Sequence, residues 1–415
     1  MRLVETHIIS ENNLHWKECD RMCFLSKNLY NQALYRIKSH YKENGTYINY
    51  NDLCKELILE KQKDYNSFNT KISQQTLILL DKNMKSYFKS LKEYKKNSFK
   101  FKGEPKLPKY KHKEKGRNIC VFTIQAISYK ELKKGFVKLS SCLISIPTNK
   151  KVQQVRIVPL NTNQYKIEII YIVKDTEIIV NNNYAGIDLG LNNLATIIMN
   201  NNLSKSFIIN GKPIKSINQY YNKKLSKLKS ELPNISINGK NKQKSISRKI
   251  NKLTHKRNCK VNDFMHKSSR ILVNRLKQNN ISKVVIGNNE QWKTEINIGK
   301  KNNQKFVSIP HQKFIEMIRY KSNLFGIIVV SHEESYTSKC SFLDDEIIKK
   351  QDKYLGKRIK RGLFISSKGI KINADINGSA NILKKVIPTA FDSYGIKGVV
   401  VHPIRVNSYK EIVLI

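Results

Sequence analysis

Two aspartates in apolar surroundings are the residues of this 415-residue chain best suited to chemistry. Asp188 stands between Ile187 and Leu189 in AGIDLGLNNLAT, a run that predicts a buried strand. A lone carboxylate there is costly to bury unless it is paired, hydrogen-bonded or bound to a cation. Asp375 stands at the start of an amphipathic helical pattern, INADINGSANIL, where an N-cap explains a single Asp equally well.

Carboxylates of this kind suit a metal-dependent phosphodiesterase. Such an enzyme needs three or four acids that converge from separate strands and helices. Together they hold two divalent cations, which activate water and stabilise the leaving oxygen. Asp188 and Asp375 are the first two candidates for such a set.

The charge of the chain points to a polyanionic partner. Its 77 Lys and Arg residues against 32 Asp and Glu residues give a formal net charge of +45. Many of the basic residues alternate with Tyr and Phe, as in YFKSLKEYKKNSFKFKG. Nucleic-acid grooves have this composition because cations meet phosphates while rings stack on bases.

A membrane is the less suitable partner for this charge. The sequence has no apolar run of the length that a spanning helix needs, and MRLVETHIIS lacks the layout of a signal peptide. Seven scattered cysteines, an odd number, predict reduced thiols and a cytoplasmic location.

The elements that must position these acids follow from periodicity. The region 1–180 reads as a strand, two long helices and then several alternating strands of a small sheet or barrel. From Tyr184 onward the patterns predict strands, a long basic helical stretch, the strand SKVVIG, a helix, the strand GIIVVS and a final helix. This order favours an α/β domain with a mixed sheet.

Four motifs carry a family resemblance: GIDLGLNNLAT, SKVVIG, SYTSKCS and NADINGSANIL. In this order and spacing the chain resembles the TnpB (OrfB) family of insertion-sequence proteins, relatives of the compact type V CRISPR effector nucleases. The resemblance implies a split RuvC-like nuclease with an RNase H fold that cuts DNA paired to a guide RNA. Asp188 then matches the first catalytic aspartate and Asp375 the third.

The resemblance also implies a domain plan. Residues 1–180 form a recognition region, β-barrel-like and helical, that binds guide RNA and target DNA. Residues 184–415 form the nuclease domain, with a basic helical insert at about 212–280 and a degenerate zinc-ribbon insert at about 339–372. The lysine-rich segment from Lys106 to Arg117 is either a nucleic-acid contact or a solvated loop.

The chain departs from the family at the second acid. The family carries a Glu at the end of the strand KVVIG, where this chain has Gly287. The next strand ends in HEESYTS, and adjacent strands lie about 4.8 Å apart, a gap that a Glu side chain spans. We therefore predict Glu334 as the second acid, with Glu333 as the fallback and Glu290 as a third choice. Without the family, a solvated strand end would explain both Glu333 and Glu334.

The zinc ribbon of the family is also incomplete. Only Cys340 remains of the two cysteine pairs, and one thiol cannot hold a zinc ion that needs four ligands. We predict no zinc, and an insert held together by apolar packing of Phe342, Leu343, Leu363 and Phe364.

The resemblance, together with these acids and the charge of the chain, implies a transposon-associated RNA-guided DNA endonuclease. Asp188, Glu334 and Asp375 would bind two Mg²⁺ ions, and the partners would be a guide RNA and a double-stranded DNA target. Loss of the acid at Gly287 favours one alternative, a nuclease-dead RNA-guided DNA-binding repressor. The charge alone permits another, a guide-independent RNA-binding protein, which gives no reason for a buried Asp188.

Overall fold

The computed structural model of the protein describes residues 1–201, 205–231, 240–288, 299, 303–304, 307–360, 362–392 and 403–409. The chain divides into two compact units, Met1–Lys174 and Asp175–Ile415. The sequence patterns placed this boundary at 180–184, and the binding roles assigned to the two parts stay predictions. Over the described residues, none of the helices has the length and apolar character required to cross a membrane.

The first unit contains a four-stranded antiparallel sheet and a two-stranded one. The strands are β1 (Arg2–Ile9), β2 (Cys120–Thr123), β3 (Phe136–Lys138), β4 (Ser145–Pro147), β5 (Val152–Leu160) and β6 (Gln164–Ile172). The larger sheet has the order β1-β6-β5-β2, and β3 pairs with β4. One apolar core contains side chains from both sheets and from the first helix.

Four helices complete this unit. They are α1 (Trp16–Asn44), α2 (Tyr50–Leu59), α3 (Thr70–Lys96) and α4 (Tyr129–Lys133). The first three share a second apolar core that includes Leu34, Leu57 and Leu80. The side chain of Asn49 caps α2 by accepting hydrogen bonds from the backbone N–H groups of Asn51 and Asp52.

The second unit is built on a six-stranded mixed sheet. The strands of this unit are β7 (Tyr184–Leu189), β8 (Asn193–Met199), β9 (Phe207–Asn210), β10 (Lys283–Gly287), β11 (Ile328–His332), β12 (Lys357–Lys360), β13 (Leu363–Ile365), β14 (Lys371–Ile372) and β15 (Ile404–Val406). The sheet order is β11-β10-β7-β8-β9-β15, while β12, β13 and β14 form a separate antiparallel sheet.

Strand directions identify the topology. β8 is antiparallel to β7 and β9, whereas β10 and β11 run parallel to β7. The first five strands of the unit therefore have the spatial order 5-4-1-2-3, with the second strand reversed. This is the RNase H-like arrangement, and it confirms the predicted α/β fold class.

Helices cover both faces of this sheet. They are α5 (Lys212–Ser230), α6 (Lys240–Gln278), α7 (His311–Asn323) and α8 (Ala374–Val386). Val284 and Ile286 of β10 share a core with α6 and α7, while Val285 faces α8. This alternation follows from the two-residue period of a strand. The C-terminal half of α6, within the predicted basic insert, is thus part of the apolar core of the sheet.

Helix α8 approaches the central strand β7 unusually closely. A Cβ atom built on Gly186 would lie 2.2 Å from the backbone oxygen of Ser379 and 2.9 Å from Cβ of Leu383. Backbone atoms of a helix cannot shift to relieve such a clash without moving the helix. Gly186 therefore sets the distance between β7 and α8.

We expect Gly186→Ala to destabilise the second unit by about 1–3 kcal/mol, the usual cost of overpacking a core. The matched control is Gly103→Ala, because a Cβ at Gly103 meets no atom within 4 Å. Urea unfolding followed by circular dichroism measures both variants. Equal stability of the two variants would contradict the close approach.

Candidate active site

Asp188 lies near the carboxyl end of β7, on the face that α8 covers. Its neighbour Ile187 pairs with Ile286 of β10, and Asp188 itself pairs with Thr196 of β8. A Cβ built on Gly378 of α8 would lie 3.1 Å from Oδ2 of Asp188. The half-buried carboxylate thus lies between the sheet and the first turns of α8.

Asp375 occupies the first turn of α8, but it does not cap the helix. The capping side chain is Asn373, whose Oδ1 accepts hydrogen bonds from the backbone N–H groups of Asp375 and Ile376. The N-cap explanation of Asp375 is therefore wrong. Its carboxylate accepts a 2.6 Å hydrogen bond from Nδ2 of Asn193 and lies 3.6 Å from Nη2 of Arg358.

Glu334 fills the space left by the missing side chain at Gly287. Gly287 pairs with His332 across the parallel strands β10 and β11, and Glu334 follows two residues later. A Cβ on Gly287 would lie 2.6 Å from Oε2 of Glu334 and 3.3 Å from its Cβ. The side chain of Glu334 thus lies directly over Gly287, one strand away from Asp188.

Glu333 and Glu290 are the two other candidates for the second acid. Glu333 is exposed, and its backbone oxygen accepts a 3.1 Å hydrogen bond from Nζ of Lys385. Glu290 lies outside the described residues. Among the described candidates, Glu334 is the half-buried one.

Two buried asparagines of α8 fix the turn that follows Glu334. Thr337 donates from Oγ1 to the backbone oxygen of Glu334 over 2.8 Å. Nδ2 of Asn381 donates to the backbone oxygens of Thr337 and Cys340, and Asn377 donates to the same oxygen of Cys340. Neither asparagine was among the residues predicted from the sequence. Their four-residue spacing in an otherwise apolar helix was the available signal.

Burial and the two other acids both disfavour the charged form of Asp188. The pKa of Asp188 lies well above its usual range, first because the carboxyl is desolvated and then because Glu334 and Asp375 are negative; Arg358 opposes this shift. Burial raises the pKa of Glu334 from 4.5 to about 7. The structure thus brings Asp188 within electrostatic reach of both predicted partners.

The chemistry of this set suits a hard divalent cation. All three side chains offer carboxylate oxygens, the donors that Mg²⁺ prefers, and a cation would relieve the repulsion that raises the pKa of Asp188. Within the part of the chain that the structure describes, however, no three His, Cys, Asp or Glu side chains stand close enough to hold one ion. The metal site therefore stays a prediction.

The predicted ribbon insert contributes a cation to this region. Its sheet β12-β13-β14 carries Arg358, the partner of Asp375. Phe342 and Phe364 belong to the apolar core between α8 and the sheet, and Leu343 packs against this core. Leu363 is only partly buried. Cys340 is buried, and its thiol donates to the backbone oxygens of Ile347 and Lys349.

Comparisons with known proteins agree with the motifs. Residues 168–293 match the family OrfB_IS605, described as probable transposase, and residues 311–382 match the Cas12f1-like TNB domain. The chain is 25% identical over 210 residues to the TnpB-like protein ORF457 of Acidianus two-tailed virus. That match covers 50% of this chain and 42% of the viral protein, so less than half of that protein's length is matched.

Solved structures with a likeness to the chain include two RNA-guided systems. The Cas12f1–sgRNA–target DNA complex aligns at 15% identity and a TM-score of 0.33, covering 92% of this chain and 99% of that one. The mini-RNA-guided endonuclease Cas_phi3 aligns at 10% identity and a TM-score of 0.46, covering 96% and 93%. The two family matches and the viral relative confirm the resemblance to TnpB (OrfB) proteins and compact type V effectors.

The raised pKa of Glu334 predicts a pH-dependent stability in metal-free protein. The neutral carboxyl is favoured in the folded state, so its stabilising contribution is complete below pH 4.5 and is lost as pH rises through about 7. Relative to Glu334→Gln, wild type should lose several degrees of Tm between pH 5 and 8, because the shift corresponds to roughly 3 kcal/mol.

The control for this measurement is Glu333→Gln, which removes the adjacent exposed carboxylate and should follow the wild-type profile. Differential scanning fluorimetry in chelator-treated buffers gives all three curves. A Tm difference between wild type and Glu334→Gln that stays constant from pH 5 to 8 would show that the pKa of Glu334 is not raised in the folded protein.

Proposed function

We propose, from the relationship to the TnpB (OrfB) proteins and from the acids around β7, that this protein is a transposon-associated, RNA-guided DNA endonuclease. It hydrolyses phosphodiester bonds at a RuvC-like site with the help of Mg²⁺. The observation that carries the proposal is the side chain of Glu334 over Gly287, because it returns a carboxylate to the position where the chain lacks the family's own.

The proposed partners are a guide RNA and a double-stranded DNA target. The net charge of +45 supports binding to polyanions in general. The Cas12f1 structure with which the chain aligns is a complex with an sgRNA and target DNA. In such a system base pairing reads the sequence, and the protein contacts mainly the backbone and shape of the hybrid.

Asp188, Glu334 and Asp375 are the residues proposed to hold the metal. Bound divalent cations supply an activated water and stabilise charge on the leaving oxygen. The other side chains orient this set. Asn193 holds one oxygen of Asp375, and the turn fixed by Asn381 sets the backbone of Glu334. Arg358 places positive charge next to Asp375, where it would also attract a phosphate.

The alternative is a nuclease-dead RNA-guided DNA-binding repressor. Two observations favour it: β10 ends in Gly287 instead of an acid, and Arg358 already neutralises part of the charge of Asp375. The elevated pKa of Asp188 weighs against it, since a protein without metal chemistry has no need to keep this carboxyl desolvated beside two other acids.

Cleavage of a matched DNA target by the protein–RNA complex separates the two functions. With Mg²⁺, we expect wild type to cut, and Asp188→Ala and Glu334→Ala to cut at least about 100-fold more slowly, the scale of losing one preorganised charged group. Glu333→Ala is the matched control and should stay within about twofold of wild type.

Target binding by the same complexes is measured in parallel, by filter retention without Mg²⁺. All variants should bind as wild type does, because none of these acids contacts the guide hybrid in the proposal. Tight, guide-dependent binding by a wild type that never cuts would establish the repressor. Full cleavage by Glu334→Ala would remove Glu334 from the site.

A further inference from the structure

The lysine-rich segment before β2 is held firmly along α1, although it has no regular secondary structure. The side chain of Asn31 accepts a 2.9 Å hydrogen bond from the backbone N–H of Lys111 and donates a 2.8 Å bond to its oxygen. Nζ of Lys27 donates to the backbone oxygen of Lys113 over 2.5 Å. These bonds, from one face of α1, give the segment a defined position.

Two tyrosines remain exposed on this fixed surface. Tyr35 lies one helical turn after Asn31 and is 57% exposed, and Tyr110 directly precedes Lys111 and is 47% exposed. Nζ of Lys38 lies 4.4 Å from the ring centroid of Tyr110. Partial burial raises the pKa of Tyr110, and the nearby hydroxyl group of Tyr35 raises it further. The two rings and the ammonium group thus form one surface, here called the Tyr35–Tyr110 platform.

The surroundings of the platform are strongly basic. Residues 106–117 contain five lysines and one arginine against a single glutamate. Arg117 is paired with Asp20, whereas Lys106, Lys109 and Lys113 have exposed side chains. Exposed rings held rigidly beside exposed cations suit a base that stacks and a phosphate that pairs. An acidic protein would use the cations and leave the flat rings without a role.

We propose that the Tyr35–Tyr110 platform binds an unpaired base of a nucleic-acid strand, with Lys38 and the lysines of 106–115 in contact with its phosphates. The site accepts any base, since stacking and phosphate contacts do not read base edges. The proposal rests on the proposed function only for the identity of the strand, either guide RNA or displaced DNA, and it requires no cleavage.

A local readout is needed because a chain of this charge binds oligonucleotides at many places. The full-length protein is irradiated with single-stranded RNA or DNA that carries 5-iodouracil, without Mg²⁺, and crosslinked peptides are mapped by mass spectrometry. We expect crosslinks at Tyr35 or Tyr110. The strand with the higher yield, RNA or DNA, identifies the source of the base.

Variants test the stacking itself. Tyr35→Leu/Tyr110→Leu should lose the local crosslink and weaken single-strand binding about 10-fold, the scale of losing base stacking. Tyr35→Phe/Tyr110→Phe keeps the rings and should bind within about twofold of wild type. Tyr129→Leu is the matched control, because Tyr129 is also exposed and also has a lysine, Lys133, over its ring.

The salt dependence gives an independent check. The slope of log K against log salt should stay the same in the leucine variant, because every lysine remains, and should fall in Lys38→Gln/Lys109→Gln.

Crosslinks that avoid both tyrosines, or equal single-strand binding by the leucine variant and wild type, would overturn the platform. Displacement of the crosslink by polyglutamate but not by unlabelled oligonucleotide would instead assign the surface to an acidic protein. These crosslinking and binding measurements need no cleavage, so a protein that binds a base on the platform but cannot cut DNA would give the same results. Failure of the proposed nuclease function is therefore distinguished from failure of the platform.

Discussion

The direct contact between α8 and the central strand β7 positions every acidic group of the candidate site. Without a side chain at Gly186, the helix backbone reaches the strand, and its first turns then lie against Asp188. The same helix carries Asp375 at its start. Farther along, its buried asparagines hold the turn behind Glu334. A small shift of α8 on the sheet would therefore move the three carboxylates relative to one another.

Parallel strand pairing explains how an acid can change strands without leaving the site. The ends of β10 and β11 lie at the same edge of the sheet, since Gly287 pairs with His332. A glutamate just beyond β11 reaches back over a glycine at the end of β10, and any side chain at Gly287 would occupy the same volume. The position of the Glu334 side chain therefore depends on the absence of a side chain at Gly287.

Periodicity predicted an α/β domain with a mixed sheet, because buried strands and amphipathic helices have distinct repeats, and the resemblance carried by the four motifs implied the RNase H-like order of its strands. They also led to Glu334 as the predicted second acid, since the ends of adjacent parallel strands lie at one edge of the sheet; its role in a metal site stays a prediction. Sequence did not distinguish Asn373 from Asp375 as the helix cap, because both residue types cap helices and the difference is one residue of register. The sequence also gave no signal for α2, whose ten residues have only a short apolar repeat. The role of Asn377 and Asn381 was missed too, because the backbone oxygens that they bond are distant in the chain.

Asp188, Glu334 and Asp375 are proposed to form one cation site. A Mn²⁺ titration of the purified protein, followed by electron paramagnetic resonance, tests it without guide, target or turnover. We expect tight Mn²⁺ binding to be lost in Asp188→Asn, Glu334→Gln and Asp375→Asn. The control variant Glu333→Gln should keep it. Wild-type Mn²⁺ binding by Glu334→Gln would contradict the proposed site, because the acid over Gly287 would then have no part in holding the metal.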